Sequence, residues 1–161
     1  MIKPLAAVLA ATTFAMPVSA TVDPGTPRLL QTLNEYGVTV EYNPSHCSNG
    51  YNGRYTTAKL MTLCYRGAPS ADDHDTVRHE TFHFLQHCAA IRRGQNGIFP
   101  LAVNNSARTE WAYSILGANS ISQIKSTYDP HHHQVEIEAF AAAQHYSADD
   151  LATLIRKWCI K

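Results

Sequence analysis

The sequence predicts an α+β fold: a small antiparallel sheet packed beside a mainly helical body, with one long helix at its centre. Three observations carry that expectation. Residues between Val38 and Tyr65 include strand-like stretches, residues after Asp73 recur at helical spacing, and a turn segment separates the two regions. Strands followed by a run of helices is the order of an α+β domain, not of an alternating α/β one.

The chain has 161 residues, a length that favours one domain. Met1 to Ala20 is set apart from it. Lys3 supplies a short positive region, Leu5 to Ala15 is apolar and alanine-rich, and Val18-Ser19-Ala20 is a small-residue cleavage site. That order reads as a secretory signal peptide cut after Ala20, not as a buried N-terminal helix. The mature domain would span residues 21–161 and be secreted or periplasmic. No other stretch approaches the ~20 apolar residues of a spanning helix, so no membrane insertion is expected.

Thr26 followed by Pro27 marks a helix start and Gly37 its stop. Leu29, Leu30 and Leu33 give that helix an apolar face. Val38 to Tyr42 alternates as a strand and ends at Asn43-Pro44. Cys47 to Gly53 reads as a loop, Arg54 to Tyr65 as a second strand-like region, and Gly67 to Asp73 as a turn. The clearest element runs from about Asp73 to Arg93 and stops at Gly94. Acidic residues crowd its first turn and Arg92 and Arg93 its last, as the helix dipole prefers. Gly94 to Asn105 is a loop carrying Pro100. Ser106 to Leu116, Ser120 to Tyr128 and His132 to Tyr146 are helical in pattern, with Asp129-Pro130 as a break. Ser147 and Asp150 form a near capping box that opens a last helix to about Trp158.

Charge excludes some partners. Thirteen basic and thirteen acidic residues cancel, so nothing points to nucleic acid or an anionic membrane surface. The four cysteines, Cys47, Cys64, Cys88 and Cys159, all follow the cleavage site, and an even count in an exported chain implies disulfides. Their wide spacing matches no cysteine-rich zinc site. Of the possible connectivities, Cys47–Cys64 would close the strand region, and Cys88–Cys159 would tie the last helix to the long one. Trp111, Tyr113 and Trp158, at helical spacing, are expected in the core.

The long helix contains His79-Glu80-Thr81-Phe82-His83, the H-E-x-x-H pattern. Residues four apart stand one turn apart on the same helix face. Two imidazoles so placed can both reach one Zn2+ ion at ~2.0–2.1 Å. Glu80, beside the first of them, can hold a water and accept its proton as general base. Val77, Thr81, Phe84, Cys88 and Ile91 form a stripe on the opposite side, so one face would pack on a core and the other present the histidines to a cleft. Such chemistry suits a zinc-dependent enzyme acting on a peptide or protein substrate.

Downstream lies His131-His132-His133-Gln134-Val135-Glu136-Ile137-Glu138-Ala139. Together the two motifs resemble the zincin metallopeptidases of the gluzincin type, which pair H-E-x-x-H with a glutamate on a later helix written E-x-E-A or E-x-x-A. The resemblance covers the two motifs and not the whole chain. It implies a minimal zincin-like domain, endopeptidase activity, and Glu136 as third metal ligand. Glu138 is the rival; the two lie ~200° apart on a helix, so only one can face the ion. These families often place an acid four residues beyond the ligand glutamate to orient a histidine. Phe140 stands there, leaving that role to Asp129, to Asp149 or to no residue. The metzincin pattern fails, because Gln86 and Ala89 occupy its glycine and last-histidine positions. His87 continues the series a turn further along, at the rim or against a carboxylate. Gln86 makes the motif H-E-x-x-H-x-x-Q, a pattern of uncharacterised predicted peptidases. For an oxyanion, Tyr128 and the histidines at 131–133 are candidates, with Tyr128 equally readable as a packing residue.

Two alternatives remain open. One is a disulfide-stapled exported binding module whose zinc is structural or non-catalytic. The other is an amidase using the same metal chemistry on cell-wall amides.

Overall fold

The structure, a computed structural model, describes residues 23–45, 47, 51–65, 70–101 and 106–160. The expected signal peptide lies outside them. Among the described residues are five α-helices and one three-stranded sheet, the expected α+β composition.

Helix α1 (Thr26–Glu35) carries Pro27 in its first turn and ends before Gly37, whose φ of 81° suits glycine. The strands are β1 (Thr39–Tyr42), β2 (Gly53–Thr56) and β3 (Leu60–Leu63), in the spatial order β1-β3-β2. The single strand-like region expected over Arg54 to Tyr65 is thus a hairpin. Its short loop closes with Lys59 at φ 57° and a hydrogen bond from Lys59 N–H to the Thr56 carbonyl. The sheet is mixed, not purely antiparallel. β2 and β3 pair antiparallel, whereas β1 and β3 pair parallel, with Val40 opposite Met61. The reason is topological. The chain reverses between β1 and β2, and the hairpin reverses it again, so a β3 inserted between them must run with β1.

Helix α2 (Ala71–Arg92) starts two residues earlier than expected because Ser70 and Asp73 form a capping box. Residues 71–73, expected in a turn, therefore belong to the helix. Every residue from Val77 to Cys88 is buried, since α1, α4, α5, β2 and β3 all pack against α2. The long helix is accordingly the centre of the molecule. It does not, however, divide into a packed face and an open one: the histidine side is covered as well, and Ile91, at the end of the expected apolar stripe, is exposed.

Helix α3 (Ser106–Thr127) is two helical pieces joined at Gly117, whose φ of 72° and ψ of 164° interrupt the helix where the sequence pattern lapses. A 3-10 turn (Pro130–His132) leads into α4 (His133–His145). Asp129 caps that turn, its carboxylate accepting the His131 N–H. Helix α5 (Ala148–Trp158) opens with the Ser147–Asp150 capping box.

Both disulfides pair as expected, Cys47 with Cys64 and Cys88 with Cys159, at Cα separations of 5.5 and 5.1 Å. A buried ionic cluster adds a third tie. The Arg78 guanidinium of α2 donates to the Ala143 carbonyl of α4, to Asp23 and to Asp75, and Asp23 also accepts the Ala148 N–H at the start of α5. No helix among the described residues is long and apolar enough to cross a membrane.

Candidate metal centre

His79 and His83 leave α2 one turn apart, and α4 crosses their face. Both histidines are buried, with 8% and 6% of their surface exposed. Their Nε2 atoms stand 3.1 Å apart. Glu136, in the first turn of α4, faces them: Oε2 is 3.2 Å from His79 Nε2, and Oε1 is 3.6 Å from His83 Nε2. His79, His83 and Glu136 form a group able to hold a metal ion.

The separations test that fit. Ligands at ~2.0–2.1 Å around a tetrahedral ion stand about 3.3 Å from one another. The two imidazole nitrogens, 3.1 Å apart, and His79 Nε2 with Glu136 Oε2, 3.2 Å apart, are close to that figure, while the other carboxylate oxygen, Oε1, stands 3.6 Å from His83 Nε2. Glu136 Oε2 is buried and, among the described residues, has no hydrogen-bond partner outside this group, as suits an atom facing a cation. Two imidazoles and one carboxylate form the donor set of catalytic zinc sites, which leave a fourth position for water or substrate.

Electrostatics within the group are strong. Burial alone would lower the His83 pKa, but the hydrogen bond to Glu136 and the charges of Glu80 and Glu136 outweigh it and raise the value to about 9. Burial would raise the Glu136 pKa, yet hydrogen bonds from His79 and His83 lower it to about 2. Without a metal, the pair therefore favours a protonated His83 facing an ionised Glu136.

Glu80 is also buried, at 6% exposure. It lies against β2 at Gly53, where an added Cβ would meet Thr76 Cγ2 at 2.5 Å and Glu80 Cγ at 3.0 Å. Glycine at that strand position thus makes room for the Glu80 side chain. Tyr128 is half-buried, and its hydroxyl pKa is raised, first by burial and then by the charges of Glu136 and Glu80. It stays protonated at neutral pH, within reach of both carboxylates' fields. His133 points back to the Tyr128 carbonyl at 2.8 Å, while His131 and His132 are exposed.

Several expected placements are corrected. Glu138 does not face the histidines; its Oε2 accepts from Gln86 Nε2 at 3.1 Å and from Leu101 N–H at 2.7 Å. His87 neither lines a rim nor meets a carboxylate: its ring nitrogens contact the Tyr55 hydroxyl and the Asn96 side-chain oxygen. Asp129 caps the 3-10 turn and Asp149 pairs with Arg28, so neither orients a histidine. Phe140 occupies the space beside His79, ring centroids 4.4 Å apart, and His79 Nδ1 is buried without a hydrogen bond. A cleft of about 520 Å³ is lined by Phe82, Leu85 and Ala89 of α2 together with Trp111, Glu138 and Trp158, and by none of His79, His83 and Glu136. Trp158 and Tyr113 are exposed, not core.

One further residue, absent from the motif's ligand and base positions, touches this centre. Gln86 is fully buried, and its Oε1 stands 2.8 Å from His83 Nδ1. Residues three apart on a helix are neighbours, so the His83-to-Gln86 spacing was the available signal.

No family model, curated protein or solved structure matches the chain, so the reading of this centre rests on its own geometry.

Proposed function

We propose that this chain is an exported zinc-dependent hydrolase of peptide bonds. The observation that carries the proposal is the triangle of His79, His83 and Glu136 ligand atoms, with Glu80 on the same helix face region and acting electrostatically on His83. Zinc held by these three residues supplies polarisation of a carbonyl and acidification of water. Glu80 would accept the proton of the attacking water and return it to the leaving amine. Tyr128, protonated, offers a hydroxyl donor to the developing oxyanion. Burial of His79, Glu80 and His83 strengthens each interaction. Export is supported by the N-terminal sequence pattern and by the two disulfides.

The deciding experiment is Glu80→Gln in zinc-loaded protein, assayed on an unstructured protein substrate. Zinc stays bound and hydrolysis falls by about 10²–10⁴-fold. Unchanged turnover overturns the assignment.

A second reading, a binding module with a non-catalytic zinc, is favoured by one observation: His79 has Phe140 beside it and no acceptor at Nδ1. X-ray absorption of the zinc-loaded protein separates the two. A water oxygen completing the shell favours the enzyme, and a fourth protein ligand favours the module.

A further inference from the structure

We propose that Gln86 and Glu138 are positioning residues that fix the His83 ring for metal binding; this rests on the metal-centre reading above. The Gln86 amide cannot be turned round. Its Nε2 lies 3.1 Å from both the Val135 carbonyl and Glu138 Oε2, two acceptors that require the NH₂ group on that side. The oxygen of the amide is thereby aimed at His83 Nδ1, 2.8 Å away, and can only accept. His83 must carry a proton on Nδ1, so Nε2, on the side of His79 and Glu136, is the nitrogen left to give its lone pair to a metal ion. Every member is buried: Gln86 is 0% and Glu138 2% exposed. In such surroundings a reversed amide would set oxygen against oxygen, which low dielectric makes costly.

Glu138 therefore acts at one remove. Its Oε2 also accepts the Leu101 N–H at 2.7 Å, so the relay runs from Leu101, through Glu138 and Gln86, to the metal-facing histidine. The acid missing at position 140 is thus not replaced at His79. Orientation comes instead through the other histidine, from a carboxylate that works through an amide. Placing neutral Gln86 against His83, with the charge a residue further back, leaves the histidine less basic than a direct carboxylate contact would.

The test is a zinc competition titration on the full mature chain, with parent protein, Gln86→Leu, Gln86→Glu and the exchange Gln86→Glu/Glu138→Gln. Gln86→Leu removes the acceptor and weakens zinc binding by about 10–100-fold. Gln86→Glu sets two carboxylates together and also weakens it. The exchange restores an amide donor beside a carboxylate acceptor for His83 but leaves a carboxylate oxygen against the Val135 carbonyl, so it binds zinc more tightly than Gln86→Glu and less tightly than the parent. Nitrogen NMR on the zinc-loaded parent needs no variant: a slowly exchanging proton on His83 Nδ1 is expected. Parent affinity in folded Gln86→Leu, or a bare His83 Nδ1, overturns the relay while leaving the metal centre standing. Failure of the parent to bind zinc overturns both.

Discussion

Phe140 packs against His79 in a tilted edge contact, centroids 4.4 Å apart, and His79 Nδ1 is buried with no hydrogen-bond partner among the described residues. A phenyl ring thus holds the first histidine by packing where a carboxylate would hold it by hydrogen bonding. Replacing Phe140 by Asp should supply an acceptor and tighten zinc binding several-fold. The same change should cost about 1–3 kcal/mol of stability, since the ring also packs against Tyr128. Zinc titration and chemical denaturation of the variant read the two effects separately. Weaker zinc binding in a folded variant would show that packing, not the missing acceptor, governs His79.

The two glutamates of α4 differ in kind. Glu136→Gln removes a charge from the ligand cluster and should lower zinc affinity by well over the effect of Glu138→Gln. The latter keeps an oxygen that can still accept from Gln86 and Leu101. Parallel zinc titrations check the ranking, and a larger loss at Glu138 would contradict the placement of Glu136 as ligand.

The metal-free protein should have a distinctive pH dependence. His83 has its pKa raised from 6.5 to about 9, so its contribution to stability is complete below pH 6.5 and is lost as pH rises through 9. Glu136 has its pKa lowered from 4.5 to about 2, so its contribution is complete above pH 4.5 and is lost as pH falls through 2. The pair together therefore favours the fold most between pH 4.5 and 6.5. Zinc competes with the His83 proton, so the stabilisation it adds should grow from pH 6 to pH 9. Thermal melts with and without chelator across that range measure both slopes. A zinc effect independent of pH would contradict a protonated His83.

Asp23 is the only acid that bridges Arg78 to the start of α5 in the described structure. Asp23→Ala should cost about 3 kcal/mol, because Arg78 is left buried with Asp75 as its remaining charged partner. Lys substitution at Arg78 should not rescue it, since an ammonium cannot span these acceptors as the guanidinium fork does. Urea denaturation of the variants checks the magnitude.

Much of the candidate site was legible locally. The spacing of His79, Glu80 and His83 is a property of one helix, and helical periodicity puts the histidines on one side whatever else the chain does. The capping box of α5, the break at Asp129-Pro130 and the two disulfides were legible for similar reasons, since each depends on residue type and short-range geometry. The rival claims of Glu136 and Glu138 were not. Both lie on α4 and both meet α2, and helical spacing alone does not say which of them meets the histidines and which meets Gln86.

Sequence alone therefore determined that His79 and His83 share a helix face with Glu80 beside them, and that the chain is α+β. Tertiary structure decided the rest: that α4 turns Glu136 toward the histidines and Glu138 toward Gln86, that β1 runs parallel to β3, and that α2 is covered on its histidine side as well as its apolar one. The physical reason is range. Periodicity and capping are set within a turn or two of chain. The rotation of one helix about its axis against another is set by which side chains fill the space between them, and those come from residues some fifty positions apart, as Gln86 and Glu138 do at a separation of 52.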